Sequence, residues 1–176
     1  MEQIDEKTFA QLARLAGFGR TGFCSAAAFA AERKAVERGP EIAERRQLRF
    51  DPTADDPRTK SIAVMLWPYV PAAQEEDGCV FVDGYYFASN AAYHAARALE
   101  AQLTEAGHFA KANVSYPARE AALRAGMGVI GQNGMLITPE YGSRFVIILM
   151  ATDIVHTAPD CGEHGGCLHC GRCAKA

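Results

Sequence analysis

The chain has 176 residues, 49% of them hydrophobic and 22% charged, with a formal net charge of −3. That length fits one domain with a small appendix and a substantial core, and the near-neutral charge gives no global electrostatic reason to bind nucleic acid. The acidic start, Met1 to Glu6, lacks the basic and apolar regions of a signal peptide, and no apolar run reaches the roughly 18 residues of a membrane span, so the expectation is a cytoplasmic protein whose thiols stay reduced.

Between Asp5 and Gly17, Phe9, Leu12, Ala13, Leu15 and Ala16 recur at helical spacing, with capping oxygens at Asp5 and Thr8. Arg20 to Cys24 is short, β-leaning and framed by glycines. Ser25 is placed to cap an alanine-rich helix that runs to Arg38 and stops at Gly39-Pro40. Cys24 reads as a small buried core residue rather than a reactive thiol. From Pro40 to Lys60 charges and prolines predict a surface connection with one helical turn around Ile42 to Gln47; its arginines read as a solvated face, or more sharply as contacts for an anionic ligand.

Ser61 to Trp67 is a continuous apolar run stopped by Pro68, the mark of a central strand buried on both faces. An acidic loop, Pro71 to Gly78, leads to a second strand or pocket rim over Cys79 to Tyr86. Tyr85, Tyr86 and Phe87 stand before a helix cap at Ser89, placed to supply core area or to stack on a flat ligand, with core the first reading. Asn90 to Gly107 predicts the longest helix, carrying Ala92, Ala95, Ala96, Leu99, Leu103 and Ala106 on one face. His94 on that helix reads first as a core histidine. Phe109 to Ser115 predicts a strand, and Pro117 opens a helix over Ala118 to Ala125 that Gly126 ends.

Gly126, Gly128 and Gly131 spell G-x-G-x-x-G, but they follow a helix and precede an apolar run, the reverse of the strand-to-helix order of a dinucleotide fingerprint, so that reading is rejected. The glycines instead suggest close backbone approach to something flat and bulky. Pro139 to Gly142 makes a turn into a second buried strand, Arg144 to Asp153.

Four of the six cysteines lie between positions 161 and 173. Cys167, Cys170 and Cys173 repeat at i, i+3, i+6, the first three ligands of the ferredoxin run that wraps a [4Fe-4S] cluster; the fourth cysteine of that run would follow Ala176. Two residues between cysteines point successive sulfurs into one concavity, and Cys161 is the nearby substitute for a missing ligand, with His164 and His169 behind it. A zinc knuckle built on Cys167, Cys170, Cys173 and Cys161 or a histidine, and an unmetallated tail, stay open beside the iron-sulfur reading. A disulfide framework does not suit a chain without secretory features. The domain division is an α/β domain over 1–155 and the start of a ferredoxin-like metal motif over 156–176.

Tyr93-His94, Arg119, Ala125-Gly126-Met127-Gly128, Asn133, Pro139 to Ser143, Thr152 and the run Cys167, Cys170, Cys173, in this order, resemble the N-terminal half of the epoxyqueuosine reductase family, cobalamin-dependent iron-sulfur enzymes related to reductive dehalogenases. The resemblance implies a mixed α/β sheet flanked by helices, akin to nitroreductase-like and cobalamin-processing proteins, holding a base-off corrinoid beside [4Fe-4S] clusters. It places Gly131, Gln132, Asn133, Tyr141, Gly142 and Ser143 around the corrinoid, and Cys167, Cys170 and Cys173 on the metal. It further implies an electron-donor protein and a modified tRNA base as substrate. Counting back without gaps, the family's proton-donating aspartate falls on Ala112, with Ser115 and Tyr116 as the nearest hydroxyls, and its lysine before Asn133 is Gln132. The family's second cluster motif and tRNA-gripping helical repeats are not in this sequence. A non-catalytic metal-bound module acting in binding or electron relay is therefore the alternative to an oxidoreductase.

Overall fold

A computed structural model describes residues 4–36, 47–70, 82–161 and 170–171. Along them lie α1 (Glu6–Leu15), β1 (Arg20–Ser25), α2 (Ala30–Val36), α3 (Pro52–Asp55), β2 (Ser61–Pro68), α4 (Gly84–Glu105), β3 (Ala110–Ala112), α5 (Ala118–Arg124), β4 (Val129–Ile130), β5 (Leu136–Ile137) and β6 (Phe145–Thr152). The main sheet has the order β1-β2-β6-β3, and β4 with β5 forms a separate hairpin.

The two apolar runs become the two central strands, paired from Ser61 opposite Thr152 to Pro68 opposite Phe145. Alternate residues of each serve opposite layers. Ala63, Met65, Val146, Ile148 and Met150 pack with Phe9, Ala13 and the α4 stripe Ala88, Ala92, Ala96, Leu99, Leu103. Ile62, Val64, Leu66, Leu149 and Ala151 pack with Phe29, Ala121 and Ala122 on the other side. Helices thus cover both faces, as expected. Every described pairing in this sheet is antiparallel, which corrects the mixed sheet: a continuous apolar run reports two-sided burial and says nothing of strand direction.

Local capping explains most of the boundaries. Asp5 Oδ1 accepts the Thr8 amide at 2.7 Å and starts α1; Phe9 and Ala13 turn inward, whereas Leu15 points to solvent. The alanine-rich helix begins at Ala30, not at Ser25, because Ser25 ends β1 and its side chain is engaged elsewhere. The expected stop of that helix at Gly39-Pro40 and the turn at Ile42 to Gln47 fall on residues 37–46, outside those described. A short helix, α3, missed in the sequence, starts where Asp51 Oδ1 caps the Ala54 amide at 3.0 Å with Pro52 in the first turn.

The longest helix starts earlier than expected. Asp83 Oδ1 accepts the Tyr85 amide at 2.7 Å, so Tyr85, Tyr86 and Phe87 form the first helical turn instead of a strand, and Ser89 lies inside the helix. These three rings are 50%, 60% and 62% exposed, and His94 is exposed too, which overturns the core reading of all four. The strand expected over Phe109 to Ser115 is cut to three residues because Asn113 turns left-handed at φ 56°, with its side-chain Nδ2 donating to the Tyr93 carbonyl at 3.3 Å.

Candidate functional site

The glycine stretch follows α5. Gly126 ends that helix at φ +64°, a conformation that suits a residue without Cβ, and β4 then folds back on β5. The four-residue turn between them closes with the Gly134 amide on the Gly131 carbonyl and the Gly131 amide on Met135, both at 2.9 Å. Asn133 Oδ1 accepts the Met135 amide at 3.1 Å, and the Arg119 guanidinium donates to the Gly134 carbonyl.

The close approaches made by two glycines are to the chain itself, not to an external flat group. A Cβ on Gly128 would sit 2.3 Å from the Ile137 carbonyl oxygen, and one on Gly131 would meet Asn133 Oδ1 at 2.9 Å and Ile137 Cδ1 at 3.0 Å. Gly131 is accordingly buried, while Gln132 and Asn133 are exposed at the hairpin tip. The open position is Gly142, where a Cβ would meet nothing within 4 Å. Gly142 lines a cleft of about 770 Å³ with Tyr141, Ser143, Arg144, Glu140 and, across from them, Pro68 to Val70. Of the six residues expected around a cofactor, Tyr141, Gly142 and Ser143 share this cleft, and Gly131, Gln132 and Asn133 do not line it. Tyr69 meets Tyr85 edge-on at 5.8 Å, so the first turn of α4 packs against a residue of the cleft wall.

Arg20, which sequence reasoning passed over, ties these segments together. From the first position of β1 its guanidinium donates to the carbonyl oxygens of Gly126 at 3.3 Å and Met127 at 3.2 Å, and pairs with Glu140 at 3.1 Å. The glycine stretch and the turn that borders the cleft are therefore hung on one side chain. Nothing local marks it, because its partners lie more than a hundred residues away.

The chain leaves β6 and passes along the ends of the strands to the free side of β1. Asp153 exchanges hydrogen bonds with Phe109; the Ser61 hydroxyl donates to the Ile154 carbonyl at 2.8 Å; His156 stacks on Phe23 and bonds Glu6 at 2.6 Å. Asp160 ends on Ser25, and the Cys161 amide donates to the Arg124 carbonyl at 2.7 Å. This brings the Cys161 sulfur against Gly126: a Cβ built there would lie 3.0 Å from Sγ.

Cys161 and Cys170 are exposed thiols, while Cys24 is buried. Burial first, then the nearby Asp160 charge, pushes the Cys24 thiol from 9.0 up to about 12, so it stays protonated and inert. Cys167 and Cys173, with His164 and His169, lie outside the described residues, and among the described residues no group of three or more metal-ligating side chains comes together. As donors, accessible thiols suit the soft, borderline metals of iron-sulfur and zinc sites. The cleft suits a large planar ligand at Tyr69, Tyr141 and the open Gly142, but the covered Gly131 does not.

Ala112 lies in β3 with its side chain buried beneath α4, so an acid at that register would enter the core. Ser115 is exposed; Tyr116 is buried, which together with Asp55 raises its phenol far above the ordinary range. No described helix is long and apolar enough to cross a membrane.

No family model matches the chain, and no curated protein sequence does. Solved structures do. The epoxyqueuosine reductase of Streptococcus thermophilus is 24% identical, with a TM-score of 0.71 over 97% of this chain and 51% of its own. An epoxyqueuosine reductase solved with an epoxyqueuosine-modified tRNA-Tyr stem loop is 22% identical, with a TM-score of 0.74 over 97% and 51%. A reductive dehalogenase, whose structure was described in terms of B12-dependent dehalogenation, is 17% identical, with a TM-score of 0.61 over 94% and 22%. The chain has the fold of these reductases and spans about half the length of the epoxyqueuosine reductases it matches.

Proposed function

We propose that the chain is the corrinoid- and iron-sulfur-binding part of a cytoplasmic oxidoreductase of the epoxyqueuosine reductase kind. The observation that carries this is the meeting at Gly126, which lies against the Cys161 sulfur and whose carbonyl accepts from Arg20, itself paired with the cleft-side Glu140. A metal centre begun at Cys161 would thus share a frame with the cleft. Cys161, Cys167, Cys170 and Cys173 would bind a [4Fe-4S] cluster, and Tyr141, Gly142 and Ser143, which line the cleft, a corrinoid. When bound, these groups supply one-electron transfer to a reducible substrate.

The chain's own residues do the positioning. Arg20 fixes the turn, Gly142 lets a planar ligand reach the backbone, and Tyr69 and Tyr141 exclude water around it. The substrate proposed from the likeness to the tRNA-bound structure is an epoxyqueuosine-modified tRNA, with electrons from a donor protein. Protein purified without oxygen should be brown, contain iron and acid-labile sulfide, and change the visible spectrum of added cobalamin. Absence of iron and sulfide overturns the reading. The second reading is a metal-binding module that relays electrons or binds without turnover. The apolar, buried Ala112 favours it, since no acid stands there, and metal uptake without any cobalamin response decides for it.

A further inference from the structure

One stripe of α1 carries Lys7, Gln11 and Arg14 at i, i+4 and i+7. These side chains do not stand on an open, solvated face. With Arg20 and Thr21 from the start of β1 they line a pocket of about 290 Å³. Three of its lining side chains are cationic and none is acidic, in a chain whose formal net charge is −3. It shares no lining residue with the cleft at Tyr141 and Gly142.

The stability of the fold does not account for these charges. Lys7 lies in the first turn of α1, where the helix dipole disfavours a cation. The carboxylates beside it in the chain are engaged elsewhere, Asp5 with the Thr8 amide and Glu6 with His156. Among the described residues neither Lys7 nor Arg14 has an ion-pair partner. Arg20 commits Nη1 and Nη2 to the Gly126 and Met127 carbonyls and to Glu140, which leaves Nε without a partner among the described residues. Like charges gathered in one concavity repel each other, and walls that exclude water strengthen the field. A bound anion removes that cost.

The donor set favours a phosphate over a carboxylate. A carboxylate brings one charge and two oxygens, which a single guanidinium already satisfies. A phosphate dianion brings twice the charge and at least three acceptor oxygens, enough to accept from the Lys7 ammonium, the Arg14 guanidinium and Arg20 Nε together. Gln11 and Thr21 add neutral donors. Lys7, Ala10 and Thr21 also line a neighbouring cavity of about 1010 Å³ that reaches Phe23 and His156, so an organic group attached to the phosphate has space beside it.

We propose that Lys7, Arg14 and Arg20 form a binding site for a phosphate dianion, either free or as the end group of an ester whose organic part occupies the neighbouring cavity. The site stands apart from the corrinoid and cluster reading and does not depend on it.

The test is titration of the full chain, labelled with nitrogen-15, at low ionic strength with inorganic phosphate and with phenyl phosphate, followed by the arginine Nε–H resonances and by calorimetry. The Arg14 and Arg20 signals should shift and saturate together below about 10 mM ligand, while that of Arg97, paired with Glu100 on α4, stays in place. Lys7→Gln and Arg14→Gln, both at exposed positions, should each weaken binding about tenfold, the effect of one charge-assisted bond. Lys111→Gln makes the same charge change on the opposite edge strand, β3, and should leave the affinity unchanged. Tighter binding of phenyl phosphate than of inorganic phosphate assigns the site to an ester; equal or weaker binding assigns it to the free anion. No saturable shift with either ligand overturns the proposal, as does a shift that misses Arg14 or Arg20. So does Lys111→Gln weakening binding as much as Lys7→Gln, because overall charge alone would then explain the affinity.

Discussion

The central strand pair and the segment that builds the cleft are held by different forces. β2 and β6 lie between two helical layers, and Ile62 to Leu66 are fully buried; their stability scales with apolar area removed from water and is spread over many side chains. The stretch from Gly126 to Arg144 forms only a two-strand hairpin with an exposed Met135 and Ile137; it is pinned to the second core layer at Met127 and Leu136, and its turns otherwise hang on Arg20, Arg119 and the bonds inside them. The core therefore tolerates the loss of any single polar contact. The site does not, and its geometry can be altered without unfolding the protein.

The contrast is sharpest in mutation. Leu66→Ala empties a buried position in the second core layer and should cost about 2–5 kcal/mol, read from the urea unfolding midpoint, with loss distributed over the whole molecule. Arg20→Ala removes one donor from two carbonyls and a carboxylate, and should cost about 1–3 kcal/mol. Its signature is local: hydrogen exchange should rise from Gly128 to Gly142 while the amides of β2 keep their protection. Equal acceleration in both regions would break the comparison. Asp5→Ala, which deletes the exposed cap of α1, should lower the urea midpoint by less than Arg20→Ala and leave exchange in the hairpin unchanged.

The smallest effect is one of pH. The folded Cys24 thiol is raised from 9.0 to about 12. The unfolded thiol ionises first, so the stabilising contribution is complete below 9 and is lost as pH climbs towards 12. Cys24→Ala should flatten that part of the alkaline stability profile; an unchanged slope would show that the thiol is not what titrates there. Native protein treated with iodoacetamide should be modified at Cys161 and Cys170 and spared at Cys24.

Much of this was legible because its causes are local. The apolar runs at Ser61 to Trp67 and Arg144 to Asp153, the alanine stripe of the long helix and the Asp5 cap each act within a few residues, and each lies where the pattern put it. The misreadings share a cause of the opposite kind. Ser25 has the chemistry of a helix cap, but Asp160, 135 residues away, claims its hydroxyl. Gly128 and Gly131 look like a floor for a ligand, yet β5 occupies the space. Tyr85 to Phe87 were placed in the core by ring size, and the Asp83 cap turned them outward on a helix.

By itself the amino-acid order determined the first helix, the long helix and the two central strands, that the sheet is covered on both faces, and which thiols are spaced for a metal, since periodicity, capping and cysteine spacing are properties of neighbouring residues. Only the tertiary structure decided that the strands run antiparallel, that Gly142 stands open on the cleft, and that Arg20 and the Ser25–Asp160 hydrogen bonds bring the cleft turn and Cys161 to the same glycine. Those outcomes depend on which distant groups reach one another once the layers have packed, and no pattern along the chain encodes that distance.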